Sequence, residues 1–391
     1  MRSISLYFIF FCSLVTAGFA SEVDSIPSVR KVKDILIYQD SLYYSSFPSI
    51  AKLPGGEYLL AFRRAPNRRI FGESGNDHVD PNSYLVTLRS TDGESWPKEP
   101  SLLYAHPFGG SQDPCLLLKR DGTLLCTSYG WAFLRPKRIE QLNPAQLKVT
   151  DNAVFLGGYT LHSKDNGYTW SEANYPPSPS VEVRRDALGQ SLPAYNRGAL
   201  WESQAGVLFW AVAVAEDTAH LSRTSAHLLT SNNAGQSWKY ASPIAHDSVV
   251  AFNETSLYET PNGDLVAFLR TANLGGQAAI ARSTDGGKSF SAWQSMGFQG
   301  YPQHALRLPN NQVLLTYGYR TEPYGIRARI LNAECTDFAT APEIILREDG
   351  GGSDLGYPWS VLLDEKYVLV VYYFNQDNGL RHIAGTILEI E

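Results

Sequence analysis

Short apolar runs separated by tight-turn residues recur along the chain. The clearest example spans residues 252–270, where an apolar run at 265–269 follows a Pro-Asn-Gly turn at 261–263. Asn-Gly between two such runs favours a β-hairpin, because both turn residues tolerate positive φ. A hairpin of this length brings Glu254 and Arg270 together at its open end, on neighbouring strands.

The same hairpin pattern occurs six times. Its copies span residues 50–62, 115–126, 199–210, 252–270, 305–315 and 360–372. Their turns are roughly 50 to 80 residues apart, which is the length of one propeller blade with variable loops. The pattern predicts an all-β protein, a six-bladed β-propeller.

A second repeat, S-x-D-x-G-x-x-W/F, lies between the hairpins. Residues 163–170 and 283–290 match it fully, 231–238 has Asn in place of Asp, and 90–96 is one residue short. This is the pattern of a tight turn. The Asp side chain accepts backbone N–H groups, Gly takes a positive φ, and the aromatic ring packs beneath. These four turns look like Asp boxes.

With these interleaved repeats the chain resembles the sialidase superfamily of six-bladed β-propellers. The resemblance implies that the Asp-box residues are structural, so we assign them no chemistry. No linker-like shift in composition interrupts the repeats. We therefore expect residues 21–391 to form a single propeller.

The first 20 residues are typical of a secretory signal peptide. Arg2 supplies the positive start, residues 4–15 are mostly apolar, and residues 18–20 form a small-x-small cleavage pattern. The apolar run is too short for a good membrane anchor, and no Cys follows Ala20 to carry a lipid. We expect a secreted or periplasmic protein with no stable membrane insertion.

Charge and composition narrow the class of partner. The net charge is −6, and loss of the signal with its one Arg and no acid makes it −7. Nucleic acid is not expected, because the chain has no basic run and is acidic overall. Aromatic residues make up 12% of the chain, and some of them are expected to line a sugar site. The expected partner is a glycan, and we expect a monomer.

The cysteines leave two interpretations open. Cys12 leaves with the signal, and Cys335 has no obvious partner. Cys115 and Cys126 lie on the two strands of one hairpin, and they oppose each other only if the turn centres on residues 120–121. A secreted protein could bond them, although a directly opposed cross-strand disulfide is strained. Two buried thiols are at least as well supported.

Both ends of the predicted propeller carry a strand. Residues 32–38 alternate weakly, and residues 381–390 form the last apolar run. A ring of blades needs closing, and we expect these two strands to pair within one blade. Residues 134–154 have no clear strand pattern and predict a loop over one face, with a short helix at 144–149.

Polar residues recur just before the hairpins. Because the innermost strands of a propeller begin at one face of the central channel, these residues converge there. They occupy positions 46–48, 112–114, 196–198, 253–255, 303–305 and 356–358. We expect Asp113, Arg197 and His304 to contact substrate, although a hydrogen-bonded strand His is the plainer interpretation of His304.

The resemblance to sialidases extends to individual residues at these positions. In that family a Glu leads into a central hairpin and an Arg follows it, and Glu254 and Arg270 match. A nucleophilic Tyr leads into the last hairpin, where Tyr357 stands. An acidic residue precedes the first Asp box, and Asp77 looks like this acid/base, with Asp80 as the alternative.

The mechanism implied by the resemblance has a physical logic. The anomeric carbon of sialic acid bears a carboxylate, which repels an anionic attacking group. The Tyr357 hydroxyl is neutral until Glu254 takes its proton, and sialidases are an exception to two-carboxylate glycoside hydrolysis. Asp77 would protonate the leaving oxygen. Arginines would bind the substrate carboxylate in a clamp, a task that Lys does poorly.

The chain departs from the family at the first arm of this clamp. The family pattern Arg-Ile-Pro is replaced by Ser46-Phe-Pro, so the first clamp Arg is missing. The Glu that supports that Arg is also replaced, by Tyr373 and Phe374. Arg63 occupies the same register as Arg270 and is a candidate substitute. Arg320 is a candidate for the third arm, with Arg327 as the alternative.

Three functional hypotheses follow. The first is an exo-acting sialidase-type hydrolase of sialic acid or another acidic sugar. The second is a propeller that binds glycans without cleaving them, because fold alone does not define function. The third is a glycosidase for a neutral sugar, in which Arg63 and Arg270 point apart. The sequence contains no P-loop, no HExxH motif and no convincing metal cluster, so we expect no cofactor and no metal.

Overall fold

The computed structural model describes residues 29–73, 78–135, 137, 147, 149–150, 153–186, 189–377 and 379–391. Over these residues the chain forms six antiparallel sheets, five of four strands and one of five. One short 3₁₀ helix, Arg68–Phe71, lies between strands of the first blade. The predicted all-β, six-bladed propeller is confirmed.

The first three blades follow the chain in order. Blade 1 consists of β2 (Tyr43–Lys52), β3 (Tyr58–Pro66), β4 (Tyr84–Ser90) and β5 (Ser101–Tyr104). Blade 2 consists of β6 (Gly109–Ser111), β7 (Cys115–Leu118), β8 (Leu124–Phe133), β9 (Val149–Thr150) and β10 (Ala153–Ser163). Blade 3 consists of β11 (Trp201–Glu202), β12 (Leu208–Ala215), β13 (Thr224–Ser231) and β14 (Lys239–Ala245).

The remaining blades include the one that closes the ring. Blade 4 consists of β15 (Ala251–Glu259), β16 (Leu265–Ala272), β17 (Gln277–Ser283) and β18 (Gln294–Gln299). Blade 5 consists of β19 (Tyr301–Arg307), β20 (Val313–Tyr319), β21 (Gly325–Leu331) and β22 (Glu343–Arg347). Blade 6 combines β1 (Val29–Tyr38) with β23 (Gly356–Leu362), β24 (Tyr367–Phe374) and β25 (His382–Ile390).

All six predicted hairpins form the inner two strands of their blades. Each innermost strand runs from one face of the propeller, which we call the mouth, to a tight turn at the opposite face. In blade 4, Asn253 pairs with Arg270 near the mouth, and Glu259 pairs with Leu265 beside the turn. The open ends of the hairpins, with the polar residues that precede them, therefore face the mouth.

The two ends of the described chain close the ring as expected. β1 pairs with β25 over its whole length, from Val29 opposite Ile390 to Tyr38 opposite Ile383. One blade is thus assembled from both ends of the propeller sequence, which fixes the first blade against the last.

Apolar residues pack between neighbouring blades. Between blades 1 and 2, for example, one cluster contains Leu59, Leu85, Leu116, Leu124 and Leu161, each no more than 3% exposed. Because strand side chains alternate between the two faces of a sheet, each blade can fill the gap on both of its sides. This packing makes the ring a rigid frame for the residues at the mouth.

The Asp boxes have the predicted turn geometry. Asp165 Oδ1 accepts the Thr169 N–H at 2.9 Å, and Gly167 takes a φ of 81°. A Cβ on Gly167 would lie 2.7 Å from Leu59 of the neighbouring blade, so the turn needs glycine for space as well as for conformation. The boxes follow strands that run away from the mouth, and their role is structural.

The segment predicted as a loop over one face needs a correction. Residues 149–150 and 153–154 belong to β9 and β10, which pair with each other. Val149, the last residue of the predicted helix, is therefore in a strand, and residues 144–146 and 148 lie outside the described residues. The apolar alternation of β10 was hidden by its glycines, Gly157 and Gly158.

The cysteines of the described chain are free thiols. Cys115 pairs with Thr127 and Cys126 pairs with Leu116, so the two cysteines are offset by one residue. Since neighbouring residues point to opposite faces of a sheet, their side chains enter different core clusters. The disulfide is excluded by this register. Cys335 is also buried and free.

The proposed signal peptide, residues 1–20, lies outside the described residues. In the part of the chain that the structure describes, none of the helices has the length and apolar character needed to cross a membrane.

Candidate active site

Breaks in strand register shape the centre of the mouth. The innermost strands of blades 1, 4 and 6 each contain a β-bulge, between residues 46 and 49, 253 and 256, and 356 and 359. Within these bulges Phe47, Glu254 and Tyr357 adopt positive φ values of 57°, 31° and 54°. Bulges re-aim side chains, and positive φ in such residues costs about 1–3 kcal/mol each. The frame holds all three in this conformation.

The bulges bring Tyr357, Glu254 and Arg270 into direct contact. The Tyr357 hydroxyl donates a hydrogen bond to Glu254 Oε1. Arg270 Nη1 donates to Glu254 Oε2 and, at 2.8 Å, to the Tyr357 oxygen. The structure thus joins the predicted nucleophile, its predicted base and one predicted clamp arginine, from two blades on either side of blade 5.

The surrounding charges and burial keep Tyr357 protonated and Glu254 ionised. Burial raises the pKa of Tyr357 and the Glu254 carboxylate raises it further, against the opposing effect of Arg270 and Arg320. Burial also opposes ionisation of Glu254, but Arg270 and the Tyr357 hydroxyl outweigh it and lower the pKa of Glu254. At neutral pH, Tyr357 is therefore a neutral phenol hydrogen-bonded to an ionised carboxylate.

Arg320 is the second arginine beside Tyr357. Its guanidinium lies 5.3 Å from the centre of the Tyr357 ring and 5.8 Å from that of Tyr301. The Arg270 guanidinium lies 5.4 Å from the same Tyr301 ring. Two positive charges therefore share one small region around Tyr357 and Tyr301, and each is held by hydrogen bonds to its neighbours.

Arg327, the alternative to Arg320, serves a different purpose. It is 3% exposed, packs over Tyr319, and donates to backbone carbonyls of residues 323, 326 and 347. Its Nε also lies 3.5 Å from Glu343. These contacts hold the outer strands of blade 5 together, so the structure places Arg320, and not Arg327, beside Tyr357.

Asp113 and Arg197 lie under the centre of the mouth. Both are 2% exposed. Arg197 packs against the rings of Tyr357 and Trp359 and donates to the Pro48 carbonyl at 3.0 Å. Asp113 Oδ2 accepts a hydrogen bond from Tyr129 at 3.0 Å, while its Oδ1 has no hydrogen-bond partner among the residues that the structure describes. Burial raises the pKa of Asp113 to about 6, although Arg197 opposes the shift.

This raised pKa predicts a pH-dependent contribution to stability. Folded Asp113 keeps its proton up to about pH 6, whereas the unfolded chain loses it near pH 3.9. Raising the pH through this window therefore lowers the free energy of unfolding by about 3 kcal/mol. We expect Asp113→Asn to remove this loss, measured by denaturant unfolding at pH 4 and pH 7.

Asp354→Asn provides a control of opposite sign. Although burial opposes it, interactions with His78, Arg381 and Tyr373 lower the pKa of Asp354. Its contribution to stability is therefore present above the unfolded pKa and is lost as the pH falls through the folded value. Equal pH dependence in wild type and Asp113→Asn would contradict the assignment to Asp113.

Arg63 does not occupy the surface of the mouth. It is 0% exposed, and its guanidinium lies behind the rings of Tyr44 and Phe47, at 5.6 and 6.0 Å. Phe47 itself packs on Tyr357, with 4.8 Å between ring centres. The Phe47 ring therefore lies between Arg63, the candidate substitute for the missing clamp arginine, and Tyr357.

A hydrogen-bonded cluster around Asp354 was not anticipated from the sequence. Asp354 accepts hydrogen bonds from Tyr44 at 3.1 Å, Tyr373 at 2.9 Å and Arg381 at 2.8 Å. Tyr373 in turn accepts from Arg320 at 2.9 Å. Tyr373, one of the two residues predicted to replace the family's supporting Glu, thus orients Arg320. The available signal was weak: Asp354 precedes Tyr357 by three residues.

His304 is a hydrogen-bonded strand histidine, the simpler of the two interpretations that the sequence left open. Its Nδ1 accepts the Ser360 N–H at 3.2 Å, and its ring lies 4.5 Å from that of Trp359. Burial lowers the pKa of His304 to about 3, so the ring is neutral at physiological pH. The structure places it in the packing between blades 5 and 6, and Nδ1 is not available to a sugar.

Asp77, the predicted acid/base, lies outside the described residues. The alternative, Asp80, is 3% exposed and accepts hydrogen bonds from Arg68 at 2.7 and 3.1 Å. It also accepts the Asn82 N–H at 2.7 Å, which caps a turn. Through these contacts Asp80 stabilises its own loop. His78, next to Asp77, contacts the Phe47 ring at 5.1 Å.

A small cavity adjoins Glu254 on the side of blades 2 and 3. Its volume is about 130 Å³, and the residues that line it include Tyr129, Tyr195, Asn253 and Arg197. It mixes aromatic rings with polar groups, as sugar-binding cavities do. Among the described residues, no group of three or more His, Cys, Asp or Glu side chains is arranged to hold a metal ion.

The fold is that of the sialidase-like propellers. Residues 143–370 match the BNR repeat-like domain family, and the chain belongs to that family. It is also a distant homologue of a sialidase from Micromonospora viridifaciens, with 25% identity over 257 residues. The match covers 62% of this chain but 35% of that protein, so the chain spans about a third of its relative's length.

Solved structures agree on the fold. A crystal structure of a protein of unknown function from Dyadobacter fermentans has 60% identity and a TM-score of 0.91. It covers 94% of this chain and all of its own. The Hadza microbial sialidase Hz136 has 17% identity and a TM-score of 0.63, covering 88% of this chain and 65% of its own. At this identity the likeness to Hz136 concerns the fold alone.

Proposed function

We propose that the chain is a secreted or periplasmic exo-acting glycoside hydrolase of sialidase type, which removes a terminal acidic sugar from glycans. The observation that carries this proposal is the hydrogen bond from Tyr357 to Glu254, with Arg270 donating to both. A neutral nucleophile beside an ionised base suits an anomeric carbon that bears a carboxylate.

In the proposed first step, the Tyr357 oxygen attacks the anomeric carbon while its proton passes to Glu254. The bond from that carbon to the leaving oxygen breaks, and Asp77 protonates the leaving oxygen. Water, giving a proton to the Asp77 carboxylate, then attacks the anomeric carbon. The bond from that carbon to the Tyr357 oxygen breaks, Tyr357 recovers its proton from Glu254, and the sugar is released. Arg270 stabilises the negative charge that develops on the Tyr357 oxygen, because its Nη1 already contacts that oxygen.

The charge around Tyr357 supports an acidic substrate. Arg270 and Arg320 both lie beside the ring, and the Glu254 carboxylate balances one of them. Arg320 is bound by a neutral tyrosine hydroxyl and a backbone carbonyl, so its positive charge remains available to an anion. Two arginines can bind a carboxylate with charge-assisted hydrogen bonds, which are about twice as strong as neutral ones.

A second candidate is supported by Phe47. The Phe47 ring packs on Tyr357 and covers Arg63, the candidate substitute for the missing clamp arginine. Only two of the three candidate clamp arginines, Arg270 and Arg320, therefore lie beside Tyr357, and this incomplete clamp favours a glycosidase for a different sugar. The glycan-binding propeller without activity is less well supported, since hydrogen-bond contact between Tyr357 and Glu254 has no evident use in binding alone.

The test is a substrate panel. Release of 4-methylumbelliferone from its sialic acid glycoside should be measured first, followed by glycosides of other acidic sugars and of neutral sugars. Hydrolysis of an acidic glycoside supports the proposal, and hydrolysis of neutral glycosides alone supports the second candidate. Binding without cleavage of any glycoside would favour the binding propeller.

Substitution of Arg320 is expected to weaken substrate binding. A hydrogen bond to a charged group contributes about 1.5–3 kcal/mol, so we expect Arg320→Met to raise KM for an acidic glycoside roughly 10- to 100-fold. The folded state should survive, because the partners of Arg320 keep other contacts. Initial rates over a range of substrate concentrations give KM and kcat separately.

Arg327→Met is the matched control for this prediction. It removes the arginine that binds blade 5 internally, so the free energy of unfolding should fall while KM stays unchanged. A rise in KM for Arg327→Met but not for Arg320→Met would reverse the assignment of the clamp.

A further inference from the structure

Two phenylalanine rings stand exposed on the mouth face. Phe71 is 65% exposed and Phe108 is 73% exposed, and Ile70 beside Phe71 is 49% exposed. Phe71 ends the 3₁₀ helix in the connection from β3 to β4, and Phe108 lies in the connection from β5 to β6. Both connections join strand ends at the mouth, so the rings lie on the same face as Tyr357.

The two rings flank one segment, residues 78–83. On one side, Arg68 of the 3₁₀ helix that carries Phe71 is hydrogen-bonded to Asp80. On the other side, the Ser83 hydroxyl donates to the Ser111 carbonyl at 2.8 Å, close to Phe108 in the chain. A Cβ on Gly110 would lie 2.0 Å from the Asp80 carbonyl oxygen, so the segment packs directly against the strand that follows Phe108.

The same segment reaches the candidate active site. His78 at its start is hydrogen-bonded to Tyr44 at 3.1 Å and packs on Phe47, which packs on Tyr357. Asp77, the proposed acid, directly precedes His78 in the chain. In an exo-acting enzyme the terminal sugar lies over Tyr357, so the sugars beyond the cleaved bond extend outward across the mouth face.

We propose that Phe71 and Phe108, with Ile70, form a binding surface for the leaving-group part of an extended glycan. The inference rests on the proposed function. Phe71 and Phe108 lie on either side of residues 78–83 at the mouth, and apolar surface exposed beside a pocket can form part of a binding site. Aromatic rings present a flat apolar surface, on which the C–H faces of sugar rings stack. The surface would favour oligosaccharides over glycosides with a small leaving group.

The test compares two substrates of the same terminal sugar. The double variant Phe71→Ala/Phe108→Ala should lower kcat/KM for 3′-sialyllactose roughly tenfold, or about 1.4 kcal/mol. Its kcat/KM for the methyl glycoside of sialic acid should match that of wild type, because methanol is too small to reach the rings. Tyr168→Ala is the control, since its ring is 68% exposed on an Asp-box turn at the opposite face.

The outcomes separate this inference from the proposed function. Equal effects on both substrates, or on neither, would overturn the binding surface while leaving hydrolysis established. If wild type cleaves neither substrate, the proposed function fails for sialic acid. Glycan-array binding by wild type and by the double variant then tests the binding surface alone. Loss of array binding in the double variant supports the surface. Equal binding by both proteins, or no binding by wild type, overturns it.

Discussion

Replacing Tyr357 with Phe is expected to lower kcat/KM for the cleaved glycoside by about 10³-fold, within the range for groups that take part in proton transfer. The substitution removes the attacking oxygen and leaves the ring, which packs on Phe47 and Tyr373. Glu254 keeps its pairing with Arg270, so no carboxylate is left unpaired. Steady-state kinetics with the best substrate of the panel measure the loss.

Tyr372→Phe is the matched control. Tyr372 is the neighbour of Tyr373 in β24, is fully buried, and shares a hydrogen bond with the Thr386 hydroxyl. Its side chain enters a different core cluster from that of Tyr373 and Tyr357, on the other face of the sheet. Its loss should change the free energy of unfolding by about 1 kcal/mol and leave kcat/KM unchanged. Near wild-type activity of Tyr357→Phe would show that another group attacks the sugar or that water does so directly.

The propeller fold was predictable because its hairpins and Asp boxes recur along the chain. A single hairpin or a single Asp box is a weak signal, but six hairpins alternating with four boxes leave one architecture. The closure of blade 6 followed from the same logic, since a ring of blades must join its last blade to the start of the chain. β9 and β10 were missed for different reasons. β9 has only two residues, too few to show a strand pattern, and the apolar alternation of β10 is interrupted by Gly157 and Gly158.

Part of the candidate site was predictable from register alone. Glu254 and Arg270 lie at the open end of one hairpin, and Tyr357 precedes another at the same face. The bulges could not be predicted, because Phe47, Glu254 and Tyr357 take positive φ without being glycine or asparagine. Their conformation is imposed by packing within the ring, and local sequence carries no signal for it.

Arg63 shows the limit of what strand register can predict about a side chain's surroundings. It pairs with Ser46 as Arg270 pairs with Asn253, so its predicted position relative to the turn is correct. Its surroundings differ, because the rings of Tyr44 and Phe47 cover it. Asp354 was missed for a related reason: it precedes β23 in a connection, and only the folded ring brings Tyr44 and Arg381 to it.

Replacing Glu254 with Gln is expected to lower kcat by about 10²- to 10⁴-fold, because the amide cannot accept the Tyr357 proton. The acid limb of the pH–rate profile should change as well. A base works only when ionised, and Arg270 lowers the pKa of Glu254, so wild-type activity should persist below the ordinary pKa of a Glu. Any residual activity of the variant should lack this limb.

Stability gives an independent measure of the same substitution. Glu254→Gln leaves Arg270 without its counter-charge in a pair whose side chains are 15% and 20% exposed, so we expect a lower free energy of unfolding. Asp264→Asn is the control, because its pair with Arg282 is similarly exposed, at 23% and 22%, and lies at the face opposite the mouth. It should lose stability without losing activity.

The double variant Tyr357→Phe/Glu254→Gln tests whether the two residues act as a unit. Groups that share one chemical step are strongly non-additive, since removal of either already abolishes that step. We therefore expect the double variant to be no less active than Tyr357→Phe alone. If the two losses in kcat multiply, Glu254 acts on the substrate independently of Tyr357, and its role as the base for this nucleophile is wrong.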